Sequence, residues 1–199
     1  IGPNAKEAQI IGGGSASLRP HYQIHPLEAV RERLGHETEI LYSKGCHTHK
    51  YLPKINERLM GNKDGFLVEY FDGNKFDENL ILEERLNGSK FWVFEGFAKD
   101  VISQEDRPNI SVRFSCEYTP DISGSHEFEI FGIGQCRLLI DENELIDNWT
   151  STDPGEAFFT FGSASKKGIV HFEKGETYKI EVQYHFEGSF PAVYIGCQA

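Results

Sequence analysis

The chain has 199 residues and a formal net charge of −11, enough for one ordinary domain, or one domain plus a fragment, with a core of real size. No run of apolar residues approaches the ~18 that cross a bilayer, which excludes a membrane span, and no charged-then-apolar leader opens the chain, so the compartment stays open between cytoplasmic and secreted. Charge is unevenly spread: residues 1–64 hold 9 basic and 7 acidic side chains, a net of +2, whereas residues 65–199 hold 11 and 24, a net of −13. All 15 Phe and both Trp also follow residue 64. Two composition regimes predict two structural units, 1–64 and 65–199. The acidic second unit would repel phosphates, which excludes nucleic acid as a partner, while its aromatic faces suit neutral sugars.

The first unit opens with Ile1, Gly2, Pro3, Asn4 and Ala5, a strand end running into a turn. Gly12, Gly13, Gly14, Ser15 and Ala16 form a flexible loop; they are not in G-x-G-x-x-G register and lack the lysine of a phosphate-binding loop. Pro26 sits at the favoured first position of a helix whose Leu27, Val30 and Leu34 share one face, and Gly35 closes it. Residues 38–42 read as a strand. This β-loop-α-β series is too short to be a domain. Lys44, Gly45 and Cys46 follow.

In order and combination, the groups Ile1–Ala5, Gly12–Ala16, Pro26-Leu27-Glu28 and Lys44-Gly45-Cys46 resemble the start of the second, α/β/α domain of glycoside hydrolase family 3 enzymes. Some members of that family, mainly β-glucosidases, carry an inserted β domain after this point. Cys46, His47 and His49 are unspecific as metal ligands and read as a solvated connector. Ile55, Leu59 and Met60 are at helical spacing, which predicts a short connecting helix within residues 51–62, with the junction at 62–65.

From Gly65 onward the pattern is almost entirely β. Residues 110–118 lead into a central hairpin at 124–149, where His126, Phe128 and Ile130 alternate with polar neighbours, Leu138, Leu139 and Ile140 follow, and Glu142 and Asn143 turn the chain. Residues 177–187 are the cleanest strand: Tyr178, Ile180, Val182, Tyr184 and Phe186 face in, Lys179, Glu181, Gln183 and His185 face out. Strands are also expected at 169–172 and 191–196. Many short strands with regular turns predict a mainly β protein, an antiparallel sandwich or barrel, attached to the short α/β fragment. None of the four cysteines (46, 116, 136, 197) forms a C-x-x-C pair, so they are expected to be small buried thiols, although Cys116 and Cys136 on neighbouring predicted strands could bond. Three sequons, at Asn87, Asn109 and Asn148, lend weak support to secretion.

Gly65-Phe66, Tyr70-Phe71, Val112-Arg113-Phe114, Thr119-Pro120, Ser123-Gly124, Arg137-Leu138, Ile140-Asp141 and Ile146-Asp147 with Trp149 fall in the order and spacing of the protective-antigen-type (PA) β-sandwich, over about residues 65–196. The resemblance implies carbohydrate binding and an aromatic segment, residues 91–97, packed on the sandwich. Yeast adhesins of this type bind calcium through an adjacent pair of Asp; this chain has Gly132, Ile133 and Gly134 before Gln135 and Cys136 instead, so the oxygen cage for calcium is missing and no metal or cofactor is expected.

Taken together, the two resemblances imply a segment of a retaining β-glucosidase acting on terminal β-D-glucosyl residues. Both catalytic carboxylates of that chemistry would lie outside the segment, and no catalytic residue is expected within it. Asp141 and Asp147 match positions with structural hydrogen bonds. The substrate-binding candidates are Asp153, Phe158, Phe159 and Phe161, on a loop rich in Pro, Gly and Phe. The alternation of Phe159 and Phe161 also suits an ordinary strand turned to the core, and one Phe reaching an outer sugar subsite is the functional alternative. The loop with Arg19, His21 and Tyr22 is a lesser candidate. Expected partners are a β-glucoside or oligosaccharide, the remaining domains of the same enzyme, and a second copy in a homo-oligomer; a non-catalytic carbohydrate-binding or adhesion module is the other reading.

Overall fold

Alternation of side chains across a pleat places every second residue in one layer, and the second half of the chain uses this to build two facing sheets. The computed structural model describes residues 1–10, 20–55, 65–76, 79–102 and 109–199. These fall into two compact units, Ile1–Lys50 and Tyr51–Ala199.

In the second unit the strands are β1 (Phe66–Asp72), β2 (Leu80–Leu86), β3 (Lys90–Trp92), β4 (Asn109–Tyr118), β5 (Gly124–Ile133), β6 (Gln135–Ile140), β7 (Asn143–Asn148), β8 (Lys166–Phe172), β9 (Tyr178–Glu187) and β10 (Ala192–Gln198). One sheet has the order β2-β1-β4-β9-β6-β7 and the other β3-β10-β5-β8. All pairings are antiparallel. The mainly β, antiparallel sandwich expected from the alternation is therefore the observed fold.

The sandwich core is aromatic. Phe91 stacks on Phe114 with ring centroids 4.5 Å apart, and Phe66 meets Phe91 edge-on at 5.8 Å. Towards the other end, Phe172 packs within 5.4 Å of Tyr118 and 6.0 Å of Phe128. All of these are buried, each contributing on the order of 1.5–3 kcal/mol by its removal from water. The inward set of β9 is as expected: Ile180, Val182 and Tyr184 are fully buried, Phe186 nearly so, and Tyr178 half-buried. Residues 91–97 split between layers. Phe91 and Phe97 are core residues, but Trp92 is half-buried and Phe94 is 68% exposed.

Several local expectations are corrected. Residues 51–55 are not helical; they form an extended strap that pairs Lys54 with Gly196 of β10, because Leu52 and Ile55 are buried on the sandwich and their amides are taken by Glu129 and Ser89 side chains at 2.5 and 2.9 Å. Residues 56–64, the rest of that predicted helix and most of the predicted junction, lie outside the described residues, as do the glycines of 12–14, Ser15, Ala16 and Arg19. The hairpin turn uses Asp141 and Glu142, with φ of 47° and 68°, rather than Glu142 and Asn143. The Cys116 and Cys136 thiols are free, because β9 lies between β4 and β6. Burial pushes both thiols up to about 12, which keeps them protonated and inert. Asn148 is fully buried and its amide donates to Ser163 Oγ at 2.7 Å, so this sequon is closed to a glycan.

In the first unit, α1 (Pro3–Lys6) and α2 (Pro26–Leu34) are helical, with Pro26 in the first turn and Gly35 following with φ 63°. Residues 38–42 do not form the expected strand; among the described residues no strand of the unit lies beside them to take up their backbone groups. Val30 and Leu34 on the apolar stripe of α2 are nearly half exposed. Cys46, His47 and His49 are exposed, and no group of three metal-binding side chains occurs among the described residues.

Candidate functional site

The candidate loop runs from Asp153 to Ala164 and closes on itself like a small hairpin. Ala164 N donates to Asp153 O at 2.6 Å and Gly155 N to Gly162 O at 2.9 Å, around a bridge between Pro154 and Ser163. Ser163 clamps the base of this loop to the end of β5 twice: its amide donates to Gly132 O at 2.8 Å and its hydroxyl oxygen accepts from Gly132 N at 3.2 Å.

At the tip, Phe158, Phe159 and Thr160 have φ of 50°, 60° and 70°. Three successive left-handed residues make a tight turn of the wrong hand for a strand, at a cost of about 1–2 kcal/mol each. The expected alternation into the core is thereby overturned. Phe158 is half-buried, within 5.7 Å of Phe131, while Phe159 and Phe161 are 71% and 74% exposed. Asp153 is exposed at the loop's base.

The tip faces side chains from two other connections. Trp92, at the end of β3, lies with its ring 5.6 Å from both Phe158 and Phe159. Phe94 is 5.2 Å from Trp92, and Phe190, in the β9–β10 turn, is 6.1 Å from Phe94. Together these rings line a groove of about 410 Å³. Lys90 Nζ sits 5.0 Å from the Trp92 ring and 2.9 Å from Glu95. On another side of the loop a smaller cleft of about 290 Å³ is lined by Gln135, Thr152, Asp153 and Thr160, and Phe161 borders both spaces.

The candidates Asp153, Phe158, Phe159 and Phe161 are thus brought to one end of the sandwich, but the groove uses the three Phe and the cleft uses Asp153. Trp92, Phe94 and Phe190 were not singled out from the sequence. A usable signal existed for Phe190, an aromatic between Gly188-Ser189 and Pro191, where turn chemistry keeps a side chain outside. Of the lesser candidates, His21 and Tyr22 are exposed, in the first unit.

Asp141 and Asp147 are engaged structurally. Asp141 Oδ1 accepts from Lys179 N at 2.7 Å. Asp147 Oδ1 accepts the amides of Trp149 and Thr150 at 2.8 and 3.0 Å, and bonds from Thr150 above all hold its carboxyl down at about 2. The Gly132–Gly134 segment has no room for a carboxylate pair. A Cβ at Gly132 would lie 2.8 Å from Ala192 O, and one at Gly134 (φ 114°) would lie 2.3 Å from His185 O.

Two antiparallel sheets packed face to face, with connections from both gathered at one end, make the second unit a β-sandwich module that presents a loop-borne surface. Residues 62–189 match the model of the PA14 domain, and the chain belongs to that family. A probable β-glucosidase H of Aspergillus clavatus is 33% identical over 196 residues, covering 98% of this chain and 23% of that protein. The crystal structure of a selenomethionine-labelled β-glucosidase from Kluyveromyces marxianus superposes with a TM-score of 0.77 at 22% identity, over 99% of this chain and 24% of that one. The β-glucosidase from the same organism in complex with glucose gives 0.76 at 22% identity, over 100% and 25%. These structures are similar in fold. The chain spans about a quarter of the length of these relatives.

Proposed function

We propose that the chain is a segment of a retaining β-glucosidase of the glycoside hydrolase family 3 type, in which residues 1–64 begin the α/β/α domain and residues 65–199 are the PA14 sandwich inserted into it. The sandwich shapes access to an active site whose nucleophile and general acid lie on other parts of the enzyme. Its ligand is a β-glucoside or short oligosaccharide, and one Phe of the loop lines an outer subsite. The naming of the relatives as β-glucosidases supports the activity. The observation that carries the role of this segment is the loop itself: it is clamped at Ser163, turned left-handed at the tip, and leaves Phe159 and Phe161 mostly in water. A strained, over-determined turn that holds two large apolar rings outside the core is expected where those rings meet a ligand.

Retaining hydrolysis needs two carboxylates about 5–5.5 Å apart and free to react. The carboxylates singled out within the sandwich, Asp141 and Asp147, each have Oδ1 held by backbone N–H donors. Hydrolysis of nitrophenyl β-glucoside is therefore expected from the full-length enzyme and not from residues 1–199 alone. Activity of the isolated chain overturns the assignment. In the full-length enzyme, Phe159→Ala and Phe161→Ala are expected to raise KM for a glucose disaccharide by about two- to tenfold, the range of one aromatic contact, with little change in kcat or Tm because both rings are exposed. Variants that only unfold, or leave KM unmoved, remove the loop from the substrate path.

A further inference from the structure

The edge of a sheet is a row of backbone N–H and C=O groups without partners, and folded proteins ordinarily blunt it by shortening, covering or charging the strand. Most edges of this sandwich are managed in that way. β7 and β8 close over one another, so that a Cβ added at Gly168 of β8 would lie 2.8 Å from Leu145 and 2.9 Å from Ile146 of β7. β3 is only 3 residues long, and the strap continues it along β10 through the Lys54–Gly196 bridge. β2 is different. It pairs with β1 on one side, and among the described residues no strand or bridge takes up its other side. It contains neither Lys nor Pro, and Leu80 and Ile81 at its start are 53% and 40% exposed. Its one irregularity against β1 falls beside Ile81, leaving residues 82–86 in regular register.

Charge supplies a second observation. On the outer face of the six-stranded sheet Glu69 binds Arg113 at 2.7 Å, Glu181 binds Lys179 at 2.9 Å, and Glu144 lies 3.5 Å from Arg137. Glu83 and Arg85 stand on that same face, opposite Glu69 and Leu67 of β1. Both are exposed, and neither has an ion-pair partner among the described residues. An acid and a base two residues apart are thus left unpaired on an edge that is itself unpaired.

We infer that β2 is the interface for a second copy of this chain, pairing antiparallel with its own image about a two-fold axis at Glu84 and joining the two six-stranded sheets into one. A two-fold axis maps a patch onto itself. With Glu84 on the axis, Glu83 of each copy falls opposite Arg85 of the other, and Leu82 opposite Leu86. Opposite charges directly across a ladder attract and like charges repel, so charge selects this register: an axis at Glu83 or at Arg85 would oppose two like charges on the outer face. Leu82 and Leu86 are half-buried against the core, and the pairing prolongs that core across the seam. Glu84 itself points to the inner face, where it accepts the hydroxyl of Tyr70 of β1 at 2.6 Å, which draws its carboxylate away from the axis. The interface is separate from the aromatic loop and does not depend on the enzyme's activity.

The test uses the full-length polypeptide that carries this chain, as wild type, Glu83→Arg, Arg85→Glu and the double exchange, with Tm recorded for each. Sedimentation over a range of concentrations reads the association. The wild type is expected to pair reversibly. Each single exchange opposes like charges twice in the pair and is expected to weaken it by about tenfold or more, and the double exchange to restore it. A wild type that stays monomeric at every concentration overturns the inference. Association that ignores the single exchanges overturns it too, since another surface then makes the contact, as do losses that the double exchange fails to recover. Should an exchange lower Tm, backbone hydrogen exchange of the wild type decides: amides of residues 80–86 that slow as concentration rises support the edge, and unchanged rates overturn it.

Discussion

Glu142 holds φ at 68° in the two-residue turn between β6 and β7, beside Asp141 at 47°. This is the conformation that hairpins ordinarily give to Asn-Gly or Asp-Gly. Asp141 is compensated, since its side chain accepts the Lys179 amide, whereas Glu142 is simply exposed. Glu142→Gly is expected to stabilise the domain by about 1 kcal/mol, read as a raised midpoint in urea at unchanged slope. Asp147 carries the pH dependence. Its carboxyl is held at about 2 by the Thr150 and Trp149 bonds, below the ~3.9 of an unfolded Asp. A depressed folded value gives stability that is fully present above the unfolded pKa and lost as pH falls from about 4 towards 2. Denaturation at pH 7, 4 and 2.5 should show this loss in the wild type and a flatter profile in Asp147→Asn, which is weaker at pH 7. The family resemblance marked Asp147 as structural, but the reading of the sequence misplaced the β6–β7 turn by one residue. Asx-rich stretches hydrogen-bond locally in several registers, and register here is fixed by the partner strand β9.

At the scale of elements, strands were legible wherever one face is dry and the other wet. The alternation along β9 needed no knowledge of its neighbours. The strap of residues 51–55 was not legible, because Leu52 and Ile55 serve an extended segment as well as they would serve a helix until β10 and Glu129 are in place. Glu129 is 1% exposed on a strand whose pattern put it outside; the strap, not the sheet, buries it. Glu129→Ala strips the Leu52 amide of its acceptor and is expected to cost about 1–3 kcal/mol, with faster hydrogen exchange at Leu52 as the specific sign. The aromatic loop misled in the opposite direction. Phe159 and Phe161 have the spacing of a strand, but the bonds of Gly155 with Gly162 and of Ser163 with Gly132 close the chain too tightly for one. The groove as a whole could not be read at all from one segment, since Trp92, Phe159 and Phe190 come from three connections that only the β3-β10-β5 order brings together.

Over the whole molecule, every buried apolar side chain among the described residues lies in Tyr51–Ala199. Composition had already marked the first part as different, through its lack of Phe and Trp. A fragment of residues 51–199 is expected to unfold cooperatively and to keep its near-ultraviolet aromatic signal, whereas residues 1–50 alone should show neither, since none of their described side chains is buried to offset chain entropy. The strap adds something else. Lys54 bridges to Gly196, and Cys197 N donates to Pro53 O at 2.8 Å, so the backbone enters and leaves the sandwich side by side, one strand spacing apart, about 4.8 Å. A body with adjacent doors can be spliced into a surface turn of another protein without prising that turn open. In the proposed insertion the host would keep its own fold, and the guest would arrive as a cassette, free to vary its far-end loops without renegotiating the seam.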